Sequence, residues 1–203
     1  MMKNRRGLSF IVIGILLIIG AMVLTGYNYI QEYRAGKAAQ SIVAELEEEI
    51  PEQENQPSSD GSVPDYILHP EMEMPVMEKD GQDYIGTLEI PALDLKLPVI
   101  SQWSYPSLRI APCRYTGSAY LSNMVIAAHN YKTHFGRLRE LQLGDEIRFT
   151  DVDGNEFLYS VEELEILSPT AVEEMTDSEW DLTLFTCTIG GKTRVTVRCS
   201  EQE

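Results

Sequence analysis

The 203-residue chain has little cysteine and little histidine: Cys113, Cys187 and Cys199, and His69, His129 and His134. So few thiols, in an odd number, exclude a disulfide framework and leave at least one sulfur unpaired within the chain. Zinc, iron–sulfur and dinucleotide spacings are absent too, so no cofactor or metal is expected. A site built from His129, His134 and a cysteine would lack the usual short ligand spacing and a fourth partner. Gly190-Gly191 has no phosphate-loop context and reads as a turn.

Positive charge is also scarce, with 16 Lys and Arg against 32 Asp and Glu and a net charge of −16. Residues 1–40 sum to +4, residues 41–83 to −12 and residues 84–203 to −8. No Lys/Arg cluster follows the N-terminal apolar run, so no nucleic acid is expected as a partner.

What the chain does have first is an uncharged apolar run, Leu8 to Thr25. At about 1.5 Å per helical residue it is long enough to cross a hydrocarbon layer of about 30 Å. Lys3, Arg5 and Arg6 precede it, which holds residues 1–7 in the cytoplasm and sends the rest outside. The rival reading, a cleaved secretory signal, has a shorter apolar region and a small-residue cleavage site; length and flanks favour a retained anchor over residues 8–26. A free thiol kept on the oxidising side of a membrane points to chemistry.

Residues 27–83 read as an acidic extracellular stalk, partly helical and partly disordered. Tyr33, Ala38, Ile42, Val43 and Leu46 come close to helical spacing until Pro51, after which Pro, Glu, Ser and Gly dominate. The segment Tyr66-Ile67-Leu68-His69 and the methionines at 72, 74 and 77 are its only apolar features, with docking on the domain as the lesser alternative to a free stalk.

From residue 84 the pattern changes to short β-rich runs: 84–90, 93–100, 123–129, 145–150, 156–161, 163–167, 181–187 and 194–199. The expected fold is mainly β, an eight-stranded closed or nearly closed barrel with short helices, over residues 84–203. Asp151 to Asn155 reads as a tight hairpin loop with Gly154 free to take positive φ.

Strand parity puts Thr183, Phe185 and Cys187 on one face and Leu182, Leu184 and Thr186 on the other. The loop after Cys187 returns into a strand that starts at Arg194, and a thiol beside a guanidinium is biased toward thiolate. Val195, Val197 and Cys199 share a core face; Arg194, Thr196 and Arg198 share the other, with Arg198 read as a surface charge. His129 ends an apolar strand where the chain leaves the core, whereas His134 reads as a solvated loop residue. Cys113 has no histidine or charged trio near it and reads as structural, with a Cys113–Cys199 disulfide as the alternative.

Thr183-Leu184-Phe185-Thr186-Cys187 resembles the T-L-x-T-C signature of the sortase family. Arg194 follows in an R-V-x-V strand, and His129 lies upstream at the end of a V-I-A-x-H strand, so the family's order of His, Cys and Arg is kept. The resemblance covers residues 84–200, and the anchor and stalk match the family's layout. It implies the sortase barrel and a cysteine transpeptidase of Gram-positive bacteria. Cys187 would attack the Thr–Gly bond of an LPxTG-like sorting signal to give a thioacyl enzyme, His129 would move the protons, and Arg194 would stabilise the oxyanion. Thr186 is a further candidate for substrate binding. The implied partners are surface proteins bearing a C-terminal sorting signal, an amine acceptor on a peptidoglycan precursor or a protein lysine, and the membrane.

Ala127-Ala128 stand where many members have a glycine before the histidine, and Asn130 follows where a basic residue is common. No second apolar span follows Cys199, so anchoring of surface proteins is expected ahead of pilus assembly. The alternatives are a cysteine peptidase that passes the acyl group to water, and a non-catalytic extracellular binding barrel in which the three residues are structural.

Overall fold

The computed structural model describes residues 3–51, 63–176 and 179–202. The chain divides into two compact units, residues 1–34 and 35–203, and helix α1 (Lys3–Glu49) runs from the first into the second. Within the first unit, the apolar side chains from Leu8 to Leu24 are exposed along a helix long and apolar enough to cross a membrane.

The second unit holds nine strands among the described residues: β1 (Met77–Lys79), β2 (Gln82–Ile90), β3 (Leu95–Ile100), β4 (Cys113–Thr116), β5 (Met124–Ala128), β6 (Glu146–Asp151), β7 (Glu156–Leu167), β8 (Leu182–Cys187) and β9 (Arg194–Glu201). They pair in the order β1-β2-β3-β4-β5-β8-β9-β7-β6, and β6 pairs back onto β2. Eight strands thus close the expected barrel, and β1 is a short extra strand on β2. Closure leaves no free edge between β2 and β6. It also forces a close approach at Gly86, where a Cβ would stand 2.0 Å from the Thr150 carbonyl oxygen. Only glycine fits there.

Alternation sorts the barrel's side chains. Met124, Ile126 and Ala128 of β5, Leu182 and Leu184 of β8, and Val195, Val197 and Cys199 of β9 all enter one buried cluster with Leu88, Phe149 and Tyr159. At the β6–β7 turn the buried Asp151 carboxylate accepts from the Asp153 and Asn155 backbone N–H groups at 2.9 and 2.8 Å. Its second oxygen accepts from the Tyr120 hydroxyl at 2.7 Å and the Asn155 amide at 2.8 Å. A buried carboxylate so fully bonded holds the loop in one shape.

Residues 35–49 and 63–83 differ from the stalk expected of them; residues 52–62 lie outside the described residues. Ala35, Ala39, Ile42, Val43 and Leu46 are buried, one stripe of an amphipathic helix. Ile42 and Leu46 join Tyr84, Ile100, Ala111 and Cys113 in a second apolar cluster. The acidic face contributes Glu47 and Glu49, which pair with Lys96 of β3 and Lys79 of β1. Downstream, α2 (Asp65–Leu68) brings Tyr66 onto Tyr120, stacked at 4.8 Å and 17°, and Met74 is buried in the main cluster. Docking of Tyr66 and Met74 is the lesser alternative borne out; composition hid that of residues 35–49, because an acidic outer face dominates the count while the inner stripe carries the packing.

Leu46→Ala is therefore expected to destabilise the second unit by about 2–5 kcal/mol, the usual cost of emptying a buried leucine site. Thermal denaturation in detergent measures it; a solvated spacer residue would cost no more than about 0.5 kcal/mol.

Candidate active site

Strands β5, β8 and β9 lie side by side. In the parallel β5–β8 pair Ala127 faces Phe185 and Ala128 faces Thr186, and in the antiparallel β8–β9 pair Cys187 faces Arg194. His129 is the residue after Ala128. One step past the last β5–β8 pair therefore puts His129, Cys187 and Arg194 in a single row across the ends of three neighbouring strands. Neighbouring strands are about 4.8 Å apart, so the three backbones lie within reach of one another's side chains. Parity turns this row to the outer face of the barrel, since Ala128, Leu184 and Val195 point inward.

The loop from Thr188 to Thr193 makes the Cys187–Arg194 pairing. The Thr188 N–H donates to the Thr193 carbonyl at 3.0 Å, the Gly191 N–H donates to the Thr188 carbonyl at 2.8 Å, and the two threonine hydroxyls are 3.0 Å apart. Gly190 and Gly191 have φ of +85° and +72°, values that other residues rarely take. Arg194 Nη1 donates to the Gly191 and Thr193 carbonyls, both at 3.1 Å, so the guanidinium is held at the site's rim.

Cys187 is half-buried, whereas Cys113 and Cys199 are buried; all three are free thiols. Burial pushes the Cys113 thiol up to about 12 and raises that of Cys199 as well. Both stay protonated at neutral pH and shut off from solvent. Only Cys187 among them can meet a substrate.

His129 stacks on Tyr131 with ring centroids 4.9 Å apart and an interplanar angle of 29°. Its pKa is lowered from 6.5, first by partial burial and then by the Arg109 charge, which favours the neutral imidazole at rest. Tyr131 lies in turn 5.5 Å from His134. His134 is not the solvated loop residue that the polar run around it suggested: it is 0% exposed, because residues 131–136 fold inward as a turn closed by Phe135 N–H donating to the His129 carbonyl at 3.1 Å.

Among the described residues neither ring nitrogen of His134 has a hydrogen-bond partner of good geometry. Burial, with a smaller push from His129, lowers its pKa to about 4, and the nearby Ala35 backbone pulls slightly the other way. Below pH 6.5 the unfolded chain takes up a proton that the folded chain refuses, so stability falls as pH drops from about 6.5 to about 4 and then levels. The loss is on the order of 3 kcal/mol, and urea denaturation at pH 7 and pH 4.5 should show that His134→Leu removes it.

Beside Cys187 and Arg194 lies a cavity of about 230 Å³, lined by the aromatic residues Trp103, Tyr105, Tyr115 and Phe185 and by Ala171, Val172 and Met175. The aromatic rings form a chain: Trp103–Tyr115 at 5.7 Å and Tyr115–Phe185 at 5.4 Å. Sequence reasoning missed this wall. Phe185 sharing the Cys187 face was its one legible sign. Thr186 also lines the cavity, but its hydroxyl is engaged in donating to the Ala128 carbonyl at 2.8 Å, tying β8 to β5 beside the row.

The sortase domain family matches residues 88–202, more than half of the chain. The chain belongs to the sortase family. Sortases are cysteine transpeptidases, so this chain is one. It is similar to Sortase A of Bacillus anthracis, with 26% identity over 191 residues covering 87% of this sortase and 85% of that one. The fold is shared with sortase C of Clostridium perfringens, whose structure was solved with the C-terminal cell wall sorting motif: TM-score 0.59, 22% identity, 81% of this chain and 100% of that chain. It is shared also with Streptococcus pneumoniae sortase C, at TM-score 0.53 and 23% identity over 86% of this sortase and 89% of the other.

Proposed function

We propose that this sortase cleaves an LPxTG-like sorting signal at its Thr–Gly bond and transfers the acyl part to an amine of the cell wall or of another protein. The observation that carries the reading is the single cross-strand row of His129, Cys187 and Arg194 beside an apolar cavity. Neutral His129 takes the Cys187 proton as sulfur bonds to the threonine carbonyl carbon. Arg194 hydrogen-bonds the oxyanion of the tetrahedral species. The C–N bond then breaks, and the His129 imidazolium protonates the leaving glycine amine. An incoming amine loses its proton to His129, attacks the thioester and releases the Cys187 thiol. The aromatic wall would seat the apolar residues of the donor, in keeping with a related sortase solved with a sorting motif.

In the same reading α1 crosses the membrane once over residues 8–26, with its N-terminus cytoplasmic, and residues 35–203 work outside. Surface proteins bearing the C-terminal signal are the donors, and a peptidoglycan precursor or a protein lysine supplies the amine. Full-length enzyme in detergent, given an LPxTG-type peptide with and without triglycine or diaminopimelate, is expected to yield the ligated product. If hydrolysed peptide alone accumulates at saturating amine, the enzyme is a peptidase and the transfer step is wrong.

A further inference from the structure

Arg198 is the third outward residue of β9 in the series Arg194, Thr196, Arg198, and parity alone made it a surface charge. It is instead 3% exposed. Its Nε donates to a Glu165 carboxylate oxygen on β7 at 2.7 Å. Its Nη1 donates to the Thr183 hydroxyl on β8 at 3.0 Å, and at 3.4 Å to the Met175 carbonyl. Its Nη2 donates to the Glu174 carbonyl at 2.6 Å.

The two carbonyls belong to α3 (Val172–Thr176), a five-residue helix in the β7–β8 connection. A helix this short has no stability of its own, and its C-terminal carbonyls need partners. Arg198 supplies them. The Thr196 hydroxyl adds a contact to Met175 sulfur at 3.9 Å, and Met175 is itself buried. Val172 and Met175 line the same cavity as the aromatic rings, Cys187 and Arg194. The charged fork therefore fixes the position of one wall of the cavity without belonging to the reacting row.

We propose that Arg198, oriented by Glu165, is a positioning residue of the transfer reaction, holding α3 as the wall against which the acyl-donor peptide is recognised. This rests on the reading that the sorting signal occupies that cavity. Recognition of the donor then depends on Arg198, and the reactivity of Cys187 does not.

The test uses full-length protein in detergent with Arg198→Lys, Arg198→Met and Glu165→Gln, retaining only variants whose near-ultraviolet circular dichroism matches wild type. Lysine keeps the charge but cannot span the four acceptors with one planar fork. The expected result is a rise in donor-peptide KM of about tenfold, with kcat and acceptor KM changed by no more than about twofold, which marks lost donor positioning. The alkylation rate of Cys187 should match wild type. Hydrogen exchange in residues 168–176 should quicken, and that in 187–194 should not. If exchange quickens but donor KM does not move, or if KM, kcat and alkylation all worsen together, Arg198 is merely structural and the proposal is overturned. Because exchange and alkylation need no substrate, a wild type that transfers no sorting peptide would sink the functional reading, while faster exchange at 168–176 would still report the clamp.

Discussion

Cys187→Ala is expected to remove transfer altogether, by roughly 10⁴-fold or more, because the bond that would carry the acyl group is gone. The fold should be kept. Cys187 is half-buried at the end of β8, outside the apolar cluster, so losing its sulfur opens no core cavity. The contrast is with Cys113 and Cys199, both 0% exposed and surrounded by apolar side chains. Changing either to alanine is expected to cost about 1 kcal/mol of stability through lost packing, with turnover per folded molecule unchanged. A donor-cleavage assay on the three variants, normalised by native signal, separates chemistry from folding. Turnover by Cys187→Ala at the wild-type rate would remove the thiol from the mechanism.

Arg194→Ala should lower kcat/KM by about 10²–10³, the usual effect of deleting a donor that meets a developing oxyanion. Arg194→Lys should recover little. An ammonium supplies the charge, but it lacks the planar fork whose Nη1 is held by the Gly191 and Thr193 carbonyls and which has further N–H groups to donate. The fall should appear mainly in kcat, since the oxyanion exists only beyond the ground state. A loss confined to KM would mean that Arg194 holds substrate rather than the transition state.

The strands were legible as short β-rich runs bounded by turn residues, yet the expected count of eight was reached through two offsetting differences. Residues 156–161 and 163–167 are one twelve-residue strand with a register shift between Val161 and Glu163. A bulge there breaks the period-two pattern that separated them. The four-residue β4 is too short for a periodic signal, and it is recognised only by pairing Cys113 with Ala127 and Ile100.

The row of His129, Cys187 and Arg194 could be anticipated because each residue sits at a strand end and parity could be counted along β8 and β9. What parity does not say is what covers a barrel's outer face. Near Cys187 that face is open, and four residues from Arg194 it is sealed by α3, which turns an apparent surface arginine into a buried clamp. The helical spacing up to Pro51 was legible, but the docking of residues 35–49 was obscured in the same way, because packing partners from distant strands decide burial and local composition does not.

The most direct test of the account is the site of the acyl group. Full-length enzyme mixed with an LPxTG-type peptide and no amine, quenched in acid and digested, should carry the threonine-terminated donor fragment on the peptide containing Cys187. Hydroxylamine should release it, as it does any thioester. Donor cleavage with no adduct on Cys187, or an adduct on Cys113 or Cys199 in its place, would contradict the account.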